Sequence, residues 1–186
     1  MMLAARPPAA IERRSFTEVR ADGRRLVGYA ATFGAEARIG SLVETIAPGA
    51  FAAALAGDVL ALFDHDPAKV LGRTRSGTLR LREDSRGLAF ELDLPDTQAG
   101  RDVQALAERR DLGGMSFGFT VPKGGEDWQG EHRTLRKVNL AEISVVSAWP
   151  AYPDTELALR GRAGSDGLAR RRQRALILAE VARGVD

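Results

Sequence analysis

The sequence predicts an α+β fold in which a mostly antiparallel β-barrel or curled sheet is surrounded by a few helices. Eight or more short runs are β-prone, by period-two alternation or by continuous apolar character, while only three stretches read as helical. Twenty glycines and eight prolines in 186 residues demand many turns and therefore short strands. That balance suits a closed or curled sheet better than a parallel α/β fold.

Residues 1–12, rich in alanine and proline, read as a loose arm. Two β runs, 14–19 and 26–33, flank Asp22-Gly23 and read as a hairpin. Residues 34–40 read as loop and 42–46 as a short strand or extended connection. The stretch 48–56 has proline in its first turn and alanines throughout, which predicts a helix. Val59 to Phe63 is a continuous apolar run too short for a helix, so it reads as a buried strand ending in Asp64-His65-Asp66-Pro67. Three further strands follow at 70–73, 78–82 and 88–94, the last two alternating about a turn at 84–87. Thr97 is a suitable N-cap for a helix over 98–110, whose Val103, Leu106 and Ala107 share one face.

That helix ends at Gly113-Gly114, and a β run begins with Met115, Phe117, Phe119 and Val121 on one face and Ser116 on the other. A polar tip at 123–127 should let 131–138 pair back, and 140–146 is strongly β-prone. Trp149 to Pro153 closes the β part; 160–167 reads as a Gly-rich linker and 168–182 as a basic, partly amphipathic helix. The expected division is thus an arm over 1–12, one domain over 13–159, and a linker with helix over 160–186.

Charge is uneven. The formal total is +2, yet from Arg160 onward seven arginines face Asp166, Glu180 and Asp186, leaving −2 for the first 159 residues. A mildly acidic body with a basic tail suggests an interaction segment, or simply a solvated helix face, rather than a nucleic-acid-binding domain. No apolar run is long enough for a membrane span, and the first residues lack a secretory pattern, so the expectation is a soluble intracellular protein.

Without cysteine, disulfides and thiolate metal sites are excluded. Two histidines without ligand spacing make no convincing zinc site, and Gly113-Gly114 lacks the lysine and spacing of a phosphate loop, so no cofactor or metal is expected. Serine-based hydrolysis remains. A hydroxyl nucleophile needs a neutral imidazole to take its proton, and the imidazole needs a third group to orient it. Ser116, reached through a Gly-Gly turn, supplies the first and His65, at the end of an apolar strand, the second. Glu142 is the favoured third group, because an acid within an apolar strand needs a partner. His132 is its rival, and Ser144 is the next candidate nucleophile. Arg133 or Arg136 could assist an oxyanion. The flanks Gly114-Met115-Ser116-Phe117-Gly118 have the spacing of an esterase elbow, but the β run after the serine does not lead into a helix as an elbow must.

Several stretches together carry a family resemblance: Gly28-Tyr29-Ala30-Ala31-Thr32-Phe33, Ile46-Ala47-Pro48-Gly49-Ala50-Phe51, Phe63-Asp64-His65-Asp66, Gly113-Gly114-Met115-Ser116-Phe117-Gly118-Phe119 and Ala141-Glu142-Ile143-Ser144. In this order they resemble the prohead maturation proteases of tailed bacteriophages, a family related to the herpesvirus assembly protease. The resemblance implies a herpesvirus-protease-like fold and a histidine, serine, acid order that falls on His65, Ser116 and Glu142. The herpesvirus relatives use a second histidine as third member, which keeps His132 in view. It further implies an endopeptidase acting inside the assembling prohead in the host cytoplasm. Its substrates would be the scaffold or an arm of the major capsid protein, and usually the enzyme itself. A homo-oligomer is compatible with this reading; membrane and direct nucleic-acid binding are not expected. The competing expectation is a non-catalytic capsid-assembly or scaffolding protein that keeps the fold.

Overall fold

A computed structural model describes residues 11–16 and 18–147. The expected basic helix and its linker, the segment 149–153 and most of the N-terminal arm lie outside the described residues. The strands are β1 (Glu12–Phe16), β2 (Glu18–Asp22), β3 (Arg25–Thr32), β4 (Ala37–Ile39), β5 (Leu42–Ile46), β6 (Leu60–Phe63), β7 (Asp66–Arg73), β8 (Leu79–Glu83), β9 (Gly87–Asp93), β10 (Gly114–Thr120), β11 (Glu126–Gln129), β12 (His132–Leu135) and β13 (Asn139–Val146). Among the described residues one α-helix, α1 (Gln98–Arg109), joins β9 to β10.

The strands form three sheets, ordered β1-β10-β13-β6-β7, β11-β12-β5-β4 and β2-β3-β9-β8. Pairing is mostly antiparallel; β13 with β6 and β12 with β5 run parallel. No continuous ring of hydrogen-bonded strands closes among the described residues. A mostly β architecture with one α-helix is therefore what the structure shows of the expected fold.

Local chemistry explains most elements. The β2–β3 hairpin turns at Gly23-Arg24 with a positive φ (58°) at the glycine alone, the requirement of a type II′ turn. Thr97 caps α1 by accepting from the Gly100 amide at 3.2 Å, and Val103 points into the core.

Three expectations need correction. Residues 48–56 form turns and a single 3₁₀ segment, Ala54–Ala56, rather than an α-helix. Gly49 sits at φ 88°, off the helical path, and the Glu83 carboxylate takes the amides of Gly49 and Phe51 from outside the segment. Nine alanine-rich residues give too little propagation to resist these tertiary contacts. The presumed loop at 34–40 holds β4, which pairs with β5 across a two-residue turn. The chain after β10 does not pair back onto it: β11 and β12 form their own hairpin in the second sheet, and β10 is flanked by β1 and β13.

The core lies behind β10. Met115, Phe117 and Phe119 are fully buried, as the alternation requires. The Phe117 ring meets Phe51 edge-on at 5.5 Å and Phe119 in a stack at 5.0 Å. This apolar face fixes the strand and so determines what its other face displays.

Candidate active site

Three neighbouring strands build the other face. β13 is central, with β10 antiparallel on one side and β6 parallel on the other. Ser116 lies directly opposite Ser144, and Gly118 opposite Glu142, so all four share one face. A bulge between Gly118 and Phe119 then shifts the register, so that Phe119 pairs with Leu140. This lets Leu140 join the core although it stands two residues from Glu142.

His65 arrives by a different route. Phe63 pairs with Asp66, leaving Asp64 and His65 as the two central residues of the β6–β7 turn, both left-handed at φ 53° and 60°. Two successive positive φ values are the requirement of a type I′ turn, normally met by Asn-Gly or Asp-Gly. Asp and His tolerate this region better than most residues, but each non-glycine there costs about 1–3 kcal/mol unless held. Asp64 is held firmly. Its amide donates to the Val145 carbonyl at 2.9 Å, and its carboxylate accepts from the Ser147 amide and hydroxyl, both at 2.8 Å. The turn is thus locked onto the end of β13.

There His65 meets Glu142: Nδ1 lies 2.7 Å from Oε1. The Glu142 side chain is 7% exposed and that of His65 22%. In the neutral imidazole the carboxylate can only accept, so the bond fixes the proton on Nδ1 and leaves Nε2 free to take one. Ser144, fully buried, donates from Oγ to the other carboxylate oxygen, Oε2, at 2.5 Å. Arg13, half-exposed on β1, places Nε 3.6 Å from Oε1.

Ser116 is fully buried beside this group. Among the described residues its Oγ is the buried side-chain polar atom that has no hydrogen-bond partner. Buried hydroxyls are normally satisfied, so an orphan here is a feature to be explained. Ser116 and His65 are accordingly not hydrogen-bonded in this state.

The remaining candidates lie elsewhere. His132 opens β12 in the second sheet, exposed, opposite Gln129 and Val43. Arg136 is exposed and paired with Asp127. Arg133 is buried in a charged cluster that the sequence reading did not find. It donates to Glu44 at 2.8 Å, to Glu126 at 2.6 Å and to both oxygens of Glu12, while Arg14 holds Glu44 through Nε at 2.5 Å and Nη2 at 2.8 Å. Arg14 is opposite Phe117, with its guanidinium 5.5 Å from the Phe119 ring centre, so the cluster sits on the core face of β10, behind Ser116. Burial pushes the Glu12 carboxyl up, but Arg133 and then Arg14 outweigh it and hold the group below the ordinary value of 4.5. Burial likewise opposes the charge on Arg133, and the facing Glu12, Glu44 and Glu126 overcome it and raise its pKa. Among the described residues no group of three or more His, Asp or Glu side chains is placed to hold a metal ion.

The family profile described as caudovirus prohead serine protease matches residues 10–168. The chain belongs to that family. No curated protein and no solved structure matches it significantly. As a prohead serine protease by family, the chain falls in a class of hydrolases of capsid maturation that act inside the assembling prohead. No helix among its described residues is long and apolar enough to cross a membrane. The match spans all three strands of the site and extends into the C-terminal segment outside the described residues.

Two contributors escaped sequence reasoning. Asp64 was visible only as a flank of His65; its two bonds to Ser147 depend on a contact 83 residues away. Gly118 stood in a motif without a role. A Cβ built there would lie 2.5 Å from Glu142 Oε1, so the missing side chain is the room the carboxylate occupies.

Proposed function

We propose that this chain is a serine endopeptidase in which Ser116 is the nucleophile, His65 the general base and Glu142 the group that orients His65. The observation that carries the reading is the 2.7 Å contact between His65 Nδ1 and Glu142 Oε1, beside a buried serine hydroxyl with no hydrogen-bond partner. With its proton on Nδ1, the imidazole offers Nε2 to the serine proton as Oγ attacks the scissile carbonyl. The Oγ–C bond forms, the carbonyl electrons move to oxygen, and the imidazolium is stabilised by Glu142. The same proton then passes to the leaving amine, and water, activated in turn by His65, releases the acyl group.

The Ser116–His65 hydrogen bond remains to be made on the way to the productive state. Such bonds are often loose before substrate arrives and tighten in the complex. By family, the substrates are segments of the scaffold or the major capsid protein, and the chain itself. The unmade bond also favours a second reading, a non-catalytic assembly protein on the same fold. Co-expression of the full chain with its capsid and scaffold proteins separates the two. A size shift on a gel that vanishes with Ser116→Ala supports the protease, and unchanged bands with the native chain support the assembly protein.

A further inference from the structure

Glu142 is gripped at both oxygens, and two of its neighbours, Ser144 and Gly118, have as yet no role. Ser144 donates to Oε2 at 2.5 Å, and His65 takes Oε1 at 2.7 Å. Ser144 is fully buried and directly opposite Ser116, yet its hydroxyl is turned to the carboxylate. On the other side, Gly118 leaves open the space in which Oε1 sits. The carboxylate terminates a flexible side chain, so a methyl at position 118 would displace it rather than disturb the backbone. Two neighbours of different kinds, a donor and a gap, therefore select one carboxylate orientation.

We infer that Ser144 and Gly118 are positioning residues: together they aim Glu142 Oε1 at His65 Nδ1 and so set the tautomer of the general base. This rests on the assignment of Glu142 as the orienting group. A free imidazole has two tautomers, and only the one protonated at Nδ1 presents a bare Nε2 to a serine hydroxyl. Removing the Ser144 donor releases Oε2, and filling the gap at Gly118 pushes Oε1 away. Both changes act on His65 without touching it.

The chain has two histidines, which makes the test direct. Ring nitrogen–proton correlation spectra of the full chain, labelled with 15N-histidine at slightly alkaline pH, report each tautomer, and His132→Gln assigns the signals. In the native chain His65 should be held as the Nδ1–H form. Ser144→Ala and Gly118→Ala should each shift it toward Nε2–H and leave His132 unchanged, while Ser144→Thr, which keeps the hydroxyl, should restore the native pattern. Processing of co-expressed capsid and scaffold proteins should slow about tenfold or more in both variants, the effect of one lost hydrogen bond to a charged group. In a Glu142→Ala background neither change should slow it further. Native tautomers in both variants would overturn the inference, as would additive losses in the Glu142→Ala background. Should Ser144→Ala fail to fold, Gly118→Ala decides alone. Failure of the underlying assignment looks different: Glu142→Ala itself would leave the His65 tautomer unmoved.

Discussion

Two glutamates are buried on opposite sides of the same strands, and their partners separate structure from chemistry. Glu44, 2% exposed, is held by the guanidiniums of Arg14 and Arg133. Glu142, 5% exposed, is held by a hydroxyl and an imidazole, with Arg13 farther off at 3.6 Å. Burial is the same, and each acid has its partners. What differs is that an imidazole can take up and release a proton during a reaction and a guanidinium does not. Glu44 can therefore only hold β1 and β12 to β5, whereas Glu142 can follow a proton. An acid in an apolar strand signals the need for a partner; the kind of partner decides what it does.

The largest expected effect is on the chemical side of this comparison. Ser116→Ala should lower processing by about 10⁶-fold, the usual consequence of removing a triad nucleophile. Its melting curve should stay close to native, since Oγ makes no hydrogen bond. Residual trimming at native rates would move the nucleophile elsewhere, with Ser144 next in line. Glu142→Gln should follow with a loss of about 10³–10⁴-fold, because the amide keeps the shape but not the charge that stabilises the imidazolium.

Glu44→Gln should show the opposite profile. It leaves two buried guanidiniums undercompensated, and breaking a buried pair costs about 3 kcal/mol. For a chain of this size that corresponds to roughly 6–12 °C in melting temperature, readable by circular dichroism. Trimming at low temperature should persist. Equal losses of activity and stability in both variants would erase the distinction between the two acids.

The sequence carried the comparison only halfway. Ser116, His65 and Glu142 stand out in the sequence as candidates because few other residues could supply that chemistry, and alternation puts Ser116 and Glu142 off the core face. The same reasoning applied to Leu42-Val43-Glu44-Thr45-Ile46 would have marked Glu44, an acid between apolar neighbours, yet its partners lie 30 and 89 residues away. The failed helix at 48–56 has the same origin. Alanine content was visible, but the Glu83 carboxylate that captures the amides of Gly49 and Phe51 was not. Turns written in adjacent residues, such as Gly23 and the Thr97 cap, were legible. The left-handed Asp64-His65 pair was not, because Asp-His is not a turn dipeptide on its own and is held by Ser147.

Acidification should separate the two sides in sequence. A general base must be neutral to take the serine proton, so processing should fall on acidification. The charged cluster resists longer. Glu12 has a folded-state pKa below its ordinary 4.5, so its contribution is fully present above that value and is lost as pH falls through the lower folded value. Processing should therefore be lost at a pH where the Glu12 carboxylate still contributes and the chain remains folded. Activity that persists until the chain unfolds in acid would exclude an imidazole base. An acid unfolding curve unchanged by Glu12→Gln would remove that carboxylate from the stabilising cluster.

The smallest effect concerns the residue that rivals Glu142 by analogy with the herpesvirus enzymes. His132 is exposed at the start of β12, in a different sheet from Ser116, and its neighbours across the ladder are Gln129 and Val43. To orient His65 it would have to leave that ladder, while Glu142 already occupies Nδ1 at 2.7 Å. His132→Ala should therefore change processing less than about twofold and stability by under about 0.5 kcal/mol, the usual range for an exposed position. Comparison with Glu142→Gln under the same conditions makes the test sharp. A severe His132→Ala beside a mild Glu142→Gln would assign the third position to the second histidine, and Glu142 would then be a structural acid like Glu44.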